Sequence, residues 1–170
     1  GVLCDAVPVR FGFEQRWDGA EVDEVVEVYL DPDFWHGLDA LRSTAPPEVL
    51  GLERSGGTAL VRLRYSLAVE LPAEAARFID TRRVSWVEES TWDLASNRAE
   101  VRFLPDQGGG LLRATASTAV LARDGGTVRE VRGDLRVRVP LVGGRVERAI
   151  VEGIGEHLDA EAEAVAERLG

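Results

Sequence analysis

The chain has 170 residues, 45% of them apolar, and a formal net charge of −10. That length suits one domain able to bury about two-thirds of its unfolded surface, and no apolar run approaches the roughly 20 residues that cross a bilayer. Every basic residue is arginine, which rules out a P-loop or Schiff-base lysine, while the acidic balance argues against a general nucleic-acid binder.

The N-terminus, Gly1-Val-Leu-Cys-Asp, lacks the basic start and long apolar core of a signal peptide. Cys4 is the single cysteine, so no internal disulfide can form, and a cytoplasmic location is the expectation. Residues 9–17 alternate apolar and polar side chains, the period of a half-buried strand. Asp18 and Glu21 then make an Asp-x-x-Glu pattern suited to a helix start. Val22, Val25, Val26 and Tyr29 follow at helical spacing. Pro32 opens a second short helix, expected over 33–42 and carrying Phe34, Trp35, Leu38 and Leu41.

From Glu48 the period changes to two. Residues 49–52 lead through Gly56-Gly57 into 60–70, where Val61, Leu63, Tyr65, Leu67 and Val69 share one face. Residues 72–80 read as a short helix or helical turn. Strands are expected over 84–94, 99–104, 111–122 and 128–139, separated by Ser96-Asn97, a glycine run at 108–110 and Asp124-Gly125-Gly126. Regular strands with tight turns make an antiparallel meander. After Pro140 to Gly144 comes one long amphipathic helix to Leu169. The order is strand, two short helices, about six strands and one long helix, an α+β domain spanning 1–170.

That order resembles the helix-grip superfamily of START-domain, Bet v 1 and polyketide cyclase-like proteins. Two stretches, Trp86-Val-Glu-Glu-Ser-Thr-Trp-Asp-Leu94 and Val137-Arg-Val-Pro-Leu-Val-Gly-Gly-Arg-Val-Glu147, look like a family of uncharacterised bacterial proteins within it. The resemblance implies a curved sheet gripping the C-terminal helix around a hydrophobic cavity. It also implies that the short helices form the mouth, where Phe34 and Trp35 would gate entry; the plain alternative is that these aromatics are core.

Several residues suit chemistry in such a cavity. Strand parity separates Glu88 from Glu89 and groups Glu88 with Val84, Trp86, Ser90 and Trp92. If the tryptophans face inward, Glu88 is a buried carboxyl with a raised pKa; the simpler reading is an arginine ion pair or an edge position. On the last helix, His157 and Glu161 sit at i and i+4 near the centre of an apolar stripe. They either contact each other, line a polar part of a cavity, or lie where the helix overhangs the sheet, the blandest of the three. Gly153 and Gly155 cost about 1 kcal/mol each relative to alanine inside a helix, so they either widen a cavity or admit a bulky neighbour. Gly143-Gly144 reads as a tight strand-to-helix turn. With only His36 and His157 and no glycine-rich phosphate motif, no metal or cofactor is expected.

The leading expectation is non-catalytic binding of a hydrophobic or amphipathic small molecule, a lipid, isoprenoid or polyketide-like compound. Tyr65, Leu67, Trp86, Trp92, Ala116, Leu135, Ile150 and Ile154 would line the cavity, with Glu88 and His157 as polar anchors. An enzyme of the cyclase or dehydratase type would instead use Glu88 or His157 for proton transfer. A third reading is a protein-interaction module with a filled core, docking through the acidic face of Glu152, Glu156, Asp159 and Glu163.

Overall fold

The alternation in residues 9–17 forms β1 (Val9–Asp18), and the long alternating runs that follow form the rest of one sheet. We describe residues 8–42, 44–68, 73, 84–107, 110, 112–138 and 143–170 of a computed structural model. After β1 come α1 (Val22–Tyr29) and α2 (Pro32–His36), then β2 (Glu48–Ser55), β3 (Thr58–Ser66), β4 (Ser85–Asp93), β5 (Arg98–Pro105), β6 (Leu112–Arg123) and β7 (Gly126–Val137). The C-terminal helix, α3, is Gly143–Leu169. All seven strands pair antiparallel in the order β1-β7-β6-β5-β4-β3-β2. The expected strand residues 69–70, 111 and 139, and the expected helical turn over 72–80, lie outside the described residues apart from Ala73.

Three local details differ from the sequence expectation. Asp18 does not cap α1: it pairs with Arg16 at 2.6 Å, and the Glu21 N–H donates to Glu24 Oε2 at 3.4 Å instead. Helix α2 stops at His36 rather than at residue 42. Asp31 accepts a hydrogen bond from the Asp33 N–H at its start, and Gly37 ends it one turn later. Leu38 and Leu41 are nonetheless buried, from the loop that follows. Third, Leu67 lies just past β3, half-buried and bridged to Thr44.

The hairpins follow from turn chemistry. Gly56 and Gly125 take positive φ angles of 60° and 78°, with Asn97 and Asp124 also left-handed at 54° and 48°. These are the turn conformations that close short antiparallel connections. Curvature has identifiable sources too: a register shift between Val49 and Gly51, and Gly133 opposite Phe11. A Cβ at Gly133 would fall 2.4 Å from Thr115 O and 2.5 Å from the Phe11 ring, so only glycine lets that ring lie across the strand.

The helix α3 lies on the concave face, packed against β1, β7 and α1. It is tied at both ends. The buried Glu147 accepts the Val137 N–H at 2.9 Å, and the Trp17 Nε1–H donates to Ala162 O at 3.0 Å. On the convex face the arginines interleave with acids: Glu89 meets Arg62 and Arg102 at 3.4 and 3.7 Å, and Arg123 meets Glu130 at 2.6 Å. These interleaved charges make it a solvated sheet face. Among the described residues, no helix is long and apolar enough to cross a membrane.

Candidate functional site

Strand parity places Trp86, Glu88, Ser90 and Trp92 on the concave side of β4, with Tyr65 and Leu63 beside them on β3 and Phe103 and Val101 on β5. The interior divides into two main clusters and a small third one of Val137 and Val146. One cluster gathers Tyr29, Phe34, Trp35, Tyr65, Trp92 and Val165 beneath the short helices, with Trp86 against it. The other gathers Phe11, Val101, Ala116, Leu135 and Leu158, flanked by Phe13, Phe103, Ile150 and Ile154. The predicted lining residues therefore belong to both halves.

Between the halves lies a set of ionisable and polar side chains. Glu161 is 2% exposed and paired with Arg129 of β7, itself 7% exposed. The helix end does not overhang the sheet, as the blandest reading supposed: Val165, one turn further on, is fully buried. Arg129 Nη1 also donates to Tyr29 Oη at 3.0 Å, and its guanidinium lies 4.4 Å from the centroid of that ring. His157 Nε2 stands 3.4 Å from Glu161 Oε2, and the His157 ring meets Tyr65 edge-on at 5.2 Å. Tyr65 in turn stacks on Trp86 at 5.9 Å.

Electrostatics follow from this packing. Burial pushes the Glu88 carboxyl up to about 7, and the negative Glu161 adds to the rise, while His157 and Arg129 oppose it. Glu88 keeps some accessible surface, yet its carboxyl is enclosed deeply enough for burial to dominate. No arginine pairs with it among the described residues, contrary to the simpler sequence reading. Burial disfavours a charged His157, but its hydrogen bond to Glu161 and the charges of Glu161 and Glu88 outweigh that and raise its pKa. Burial would raise Glu161, but Arg129 and His157 hold it below the usual carboxylate range. The Tyr65 hydroxyl is raised by burial and by Glu88 and Glu161, so it stays a neutral donor and acceptor. Glu88, His157, Glu161, Arg129 and Tyr65 thus form one electrostatic unit.

Several buried polar atoms near this unit lack hydrogen-bond partners among the described residues: both amide atoms of Gln15, Thr118 Oγ1, Arg129 Nε and Tyr65 Oη. Gln15 faces Arg129 across the β1–β7 ladder, and Thr118 lies on β6 beside β7. An unpaired buried polar atom costs about 1–3 kcal/mol.

The middle of α3 supplies the second wall. At about 100° per residue, Glu147, Ile150, Ile154, Leu158, Glu161 and Val165 fall on one core-facing stripe. Glu147, Leu158, Glu161 and Val165 are buried, yet Ile150 and Ile154 between them are only half-buried. The facing Trp86, Glu88, Ser90 and Phe103 are half-buried as well. Half-buried apolar side chains therefore lie both on the central turns of α3 and on the inward faces of β4 and β5, where Glu88 and Ser90 are half-buried too. The two glycines there differ. A Cβ at Gly155 would meet Phe13 at 2.6 Å, so this glycine admits a bulky neighbour, whereas a Cβ at Gly153 meets nothing within 4 Å.

The remaining predicted residues are placed as follows. Trp92, Ala116 and Leu135 are buried, and Leu67 stands at the end of β3. Phe34 and Trp35, expected at a cavity mouth, are each 4% exposed. They pack with Tyr29 in the aromatic core, and Trp35 Nε1 donates to Tyr29 O at 2.9 Å. Two surface depressions of about 230 and 360 Å3, one beside Leu38 and Arg168 and one beside Ala20 and Asp124, do not reach Glu88 or His157.

Arg129, Gln15, Thr118 and Ser90 are the residues the sequence reading passed over as site candidates. Arg129 had a legible signal: parity along β7 sets it with Val131 and Leu135 on the concave face. Gln15 likewise alternates with Phe11, Phe13 and Trp17.

The chain belongs to the DUF2505 family, described as a protein of unknown function, whose profile matches residues 14–169. Among solved structures it is similar to TTHA0849 from Thermus thermophilus, with a TM-score of 0.64 and 19% identity, covering 94% of this chain and 96% of that one. It is similar also to the Zhui aromatase/cyclase from Streptomyces sp. R1128, with a TM-score of 0.63 and 18% identity over 94% of this chain and 93% of that one. A START superfamily protein from Mycobacterium smegmatis aligns with a TM-score of 0.54 and 15% identity over 96% and 97% of the two chains. At these identities the likeness is one of fold, the START/Bet v 1-like helix-grip arrangement. No curated protein sequence matches the chain.

Proposed function

We propose that this DUF2505 chain binds a hydrophobic or amphipathic small molecule in the groove between its sheet and α3. One observation carries the reading: along the core-facing stripe of α3 both ends are buried while Ile150 and Ile154 in the middle are not. Apolar side chains left partly accessible inside a fold mark space that an apolar guest can fill. Glu88 and His157 are the polar anchors of this reading, and Trp86, Ile150 and Ile154 its apolar walls. Native mass spectrometry of the purified protein, followed by solvent extraction, tests it. A bound lipid, isoprenoid or polyketide-like compound in one-to-one ratio is the expected result. A protein that stays ligand-free after incubation with a mixed lipid and polyphenol extract contradicts it.

A second reading, catalysis of the cyclase or dehydratase type, is favoured by one feature. The Glu88 carboxyl sits near 7, where a group can both accept and return a proton at neutral pH, with His157 in the same electrostatic unit. On this reading Glu88→Gln abolishes turnover while leaving ligand affinity within about threefold, since an amide keeps the hydrogen bond and loses the proton.

A further inference from the structure

The long helix α3 is held unevenly along its length. Val146 and Glu147 are buried near its start, where Glu147 accepts the Val137 N–H at 2.9 Å. Leu158, Glu161 and Val165 are buried in its second half, where Trp17 Nε1 donates to Ala162 O at 3.0 Å and Glu161 pairs with Arg129. Between these anchors, none of the seven residues from Arg148 to Ile154 is buried, the longest such run in α3. Gly153 lies within it, a poor helix former with nothing within 4 Å of where a Cβ would stand. Segments with few buried contacts open locally at lower cost than the whole fold.

This weakly held run lies beside the buried ionisable unit. Glu88 on β4 stands opposite Phe103 on β5, and Phe103 packs in the same cluster as Ile150 and Ile154. His157, one turn beyond Ile154, is 3.4 Å from Glu161 and edge-on to Tyr65 of β3 at 5.2 Å. The groups acting on Glu88 and His157 are Tyr65 on β3, Arg129 on β7 and Glu161 on α3, with Tyr29 on α1 bonded to Arg129. Arg129 and Glu161 stay charged and offset each other. With Glu88 and His157 both protonated, the unit therefore holds a single positive charge. With both deprotonated, it holds a single negative one, and two carboxylates face one guanidinium. Both groups have raised pKa values, so their contribution to folding is lost as pH rises through the folded values, near 7 for Glu88. A carboxylate left charged in an apolar interior is relieved by admitting water, and the least-held cover is the cheapest place to admit it.

We propose that Arg148–Ile154 is a pH-responsive gate within α3: seated while Glu88 and His157 carry their protons, open to water once both have lost them, with the two ends of the helix docked throughout. No ligand is needed for the opening, so it stands whether or not the binding reading does.

Hydrogen–deuterium exchange with peptide mass spectrometry on the full chain tests it at pH 5 and pH 9, with labelling times matched to the intrinsic exchange rate at each pH. Helical amides bond back four residues, so peptides spanning 148–158 report the gate. They should lose protection at least about tenfold between the two pH values, while peptides spanning 161–169 change less than about threefold. Glu88→Gln should remove most of that loss, and Glu88→Gln combined with His157→Gln all of it. Thermal unfolding verifies that the variants fold, and the single variant decides the matter where the double one does not. Protection that does not change with pH, a loss equal along all of α3, or a loss that persists undiminished in Glu88→Gln overturns the proposal.

Discussion

Glu88 concentrates the consequences of the fold in a single titration. Its pKa in the folded chain is raised from 4.5 to about 7, so the folded state holds a proton that the unfolded chain gives up earlier. The stability this contributes is full below pH 4.5 and is lost as pH rises through about 7. His157 acts in the same direction, since its pKa is raised and its contribution is lost as pH climbs past its folded value. Replacing Glu88 by Gln removes the first term. The variant should match the parent protein at pH 4 and exceed it at pH 8 by about 1–3 kcal/mol, which thermal unfolding at the two pH values will measure. The Arg129–Glu161 pair makes the opposite kind of prediction. Glu161→Ala strands a buried guanidinium and should cost about 3–5 kcal/mol, whereas the double change Arg129→Met with Glu161→Met should recover most of that loss. Chemical denaturation of the single and double variants tests it. Of these residues, Glu88 and His157 are candidates by parity and helical spacing, but the same pattern also allows an arginine pair or edge position for Glu88 and an overhanging helix end for His157. That Arg129 would meet Glu161 was not legible, because the pairing joins positions on β7 and α3 that only the tertiary fold brings together.

At the scale of elements, α3 is the informative piece. Its length and its exposed acidic face follow from the sequence period, and Arg148, Glu152, Glu156, Asp159 and Glu163 all face solvent. What the period could not supply was which of its two interior glycines packs and which leaves space. The contrast is measurable. Gly155→Ala drives a methyl into the Phe13 ring and should destabilise by about 1–3 kcal/mol despite alanine's better helix propensity. Gly153→Ala meets nothing and should stabilise by up to about 1 kcal/mol. Equal effects at the two positions, by urea denaturation, would mean that α3 does not sit on β1 as described. The helix expected over 33–42 outruns the observed α2 for a related reason. Phe34, Trp35, Leu38 and Leu41 keep helical spacing, but Gly37 ends the helix, and the two leucines reach the core from a loop. Apolar spacing reports burial, and helix is only one way to achieve it.

For the molecule as a whole, the order of elements and the alternation of strands carried the architecture: an antiparallel curved sheet with a long terminal helix on its concave face. A space under that helix is what the resemblance implies, and the proposed binding rests on one local observation, the half-buried Ile150 and Ile154 between buried neighbours. Surface ion pairs such as Arg54–Glu27 at 2.9 Å are exposed and contribute little. Stability therefore rests on the apolar clusters, and a ligand bound as proposed would touch the two larger ones. The most direct test is a fluorescence titration with the neutral apolar probe N-phenyl-1-naphthylamine, comparing the parent protein with Ile154→Trp, in which an indole fills the groove. The account predicts saturable one-to-one binding by the parent protein and at least about tenfold weaker binding by a folded Ile154→Trp. Absence of saturable binding, or equal affinity in the two proteins, would contradict it.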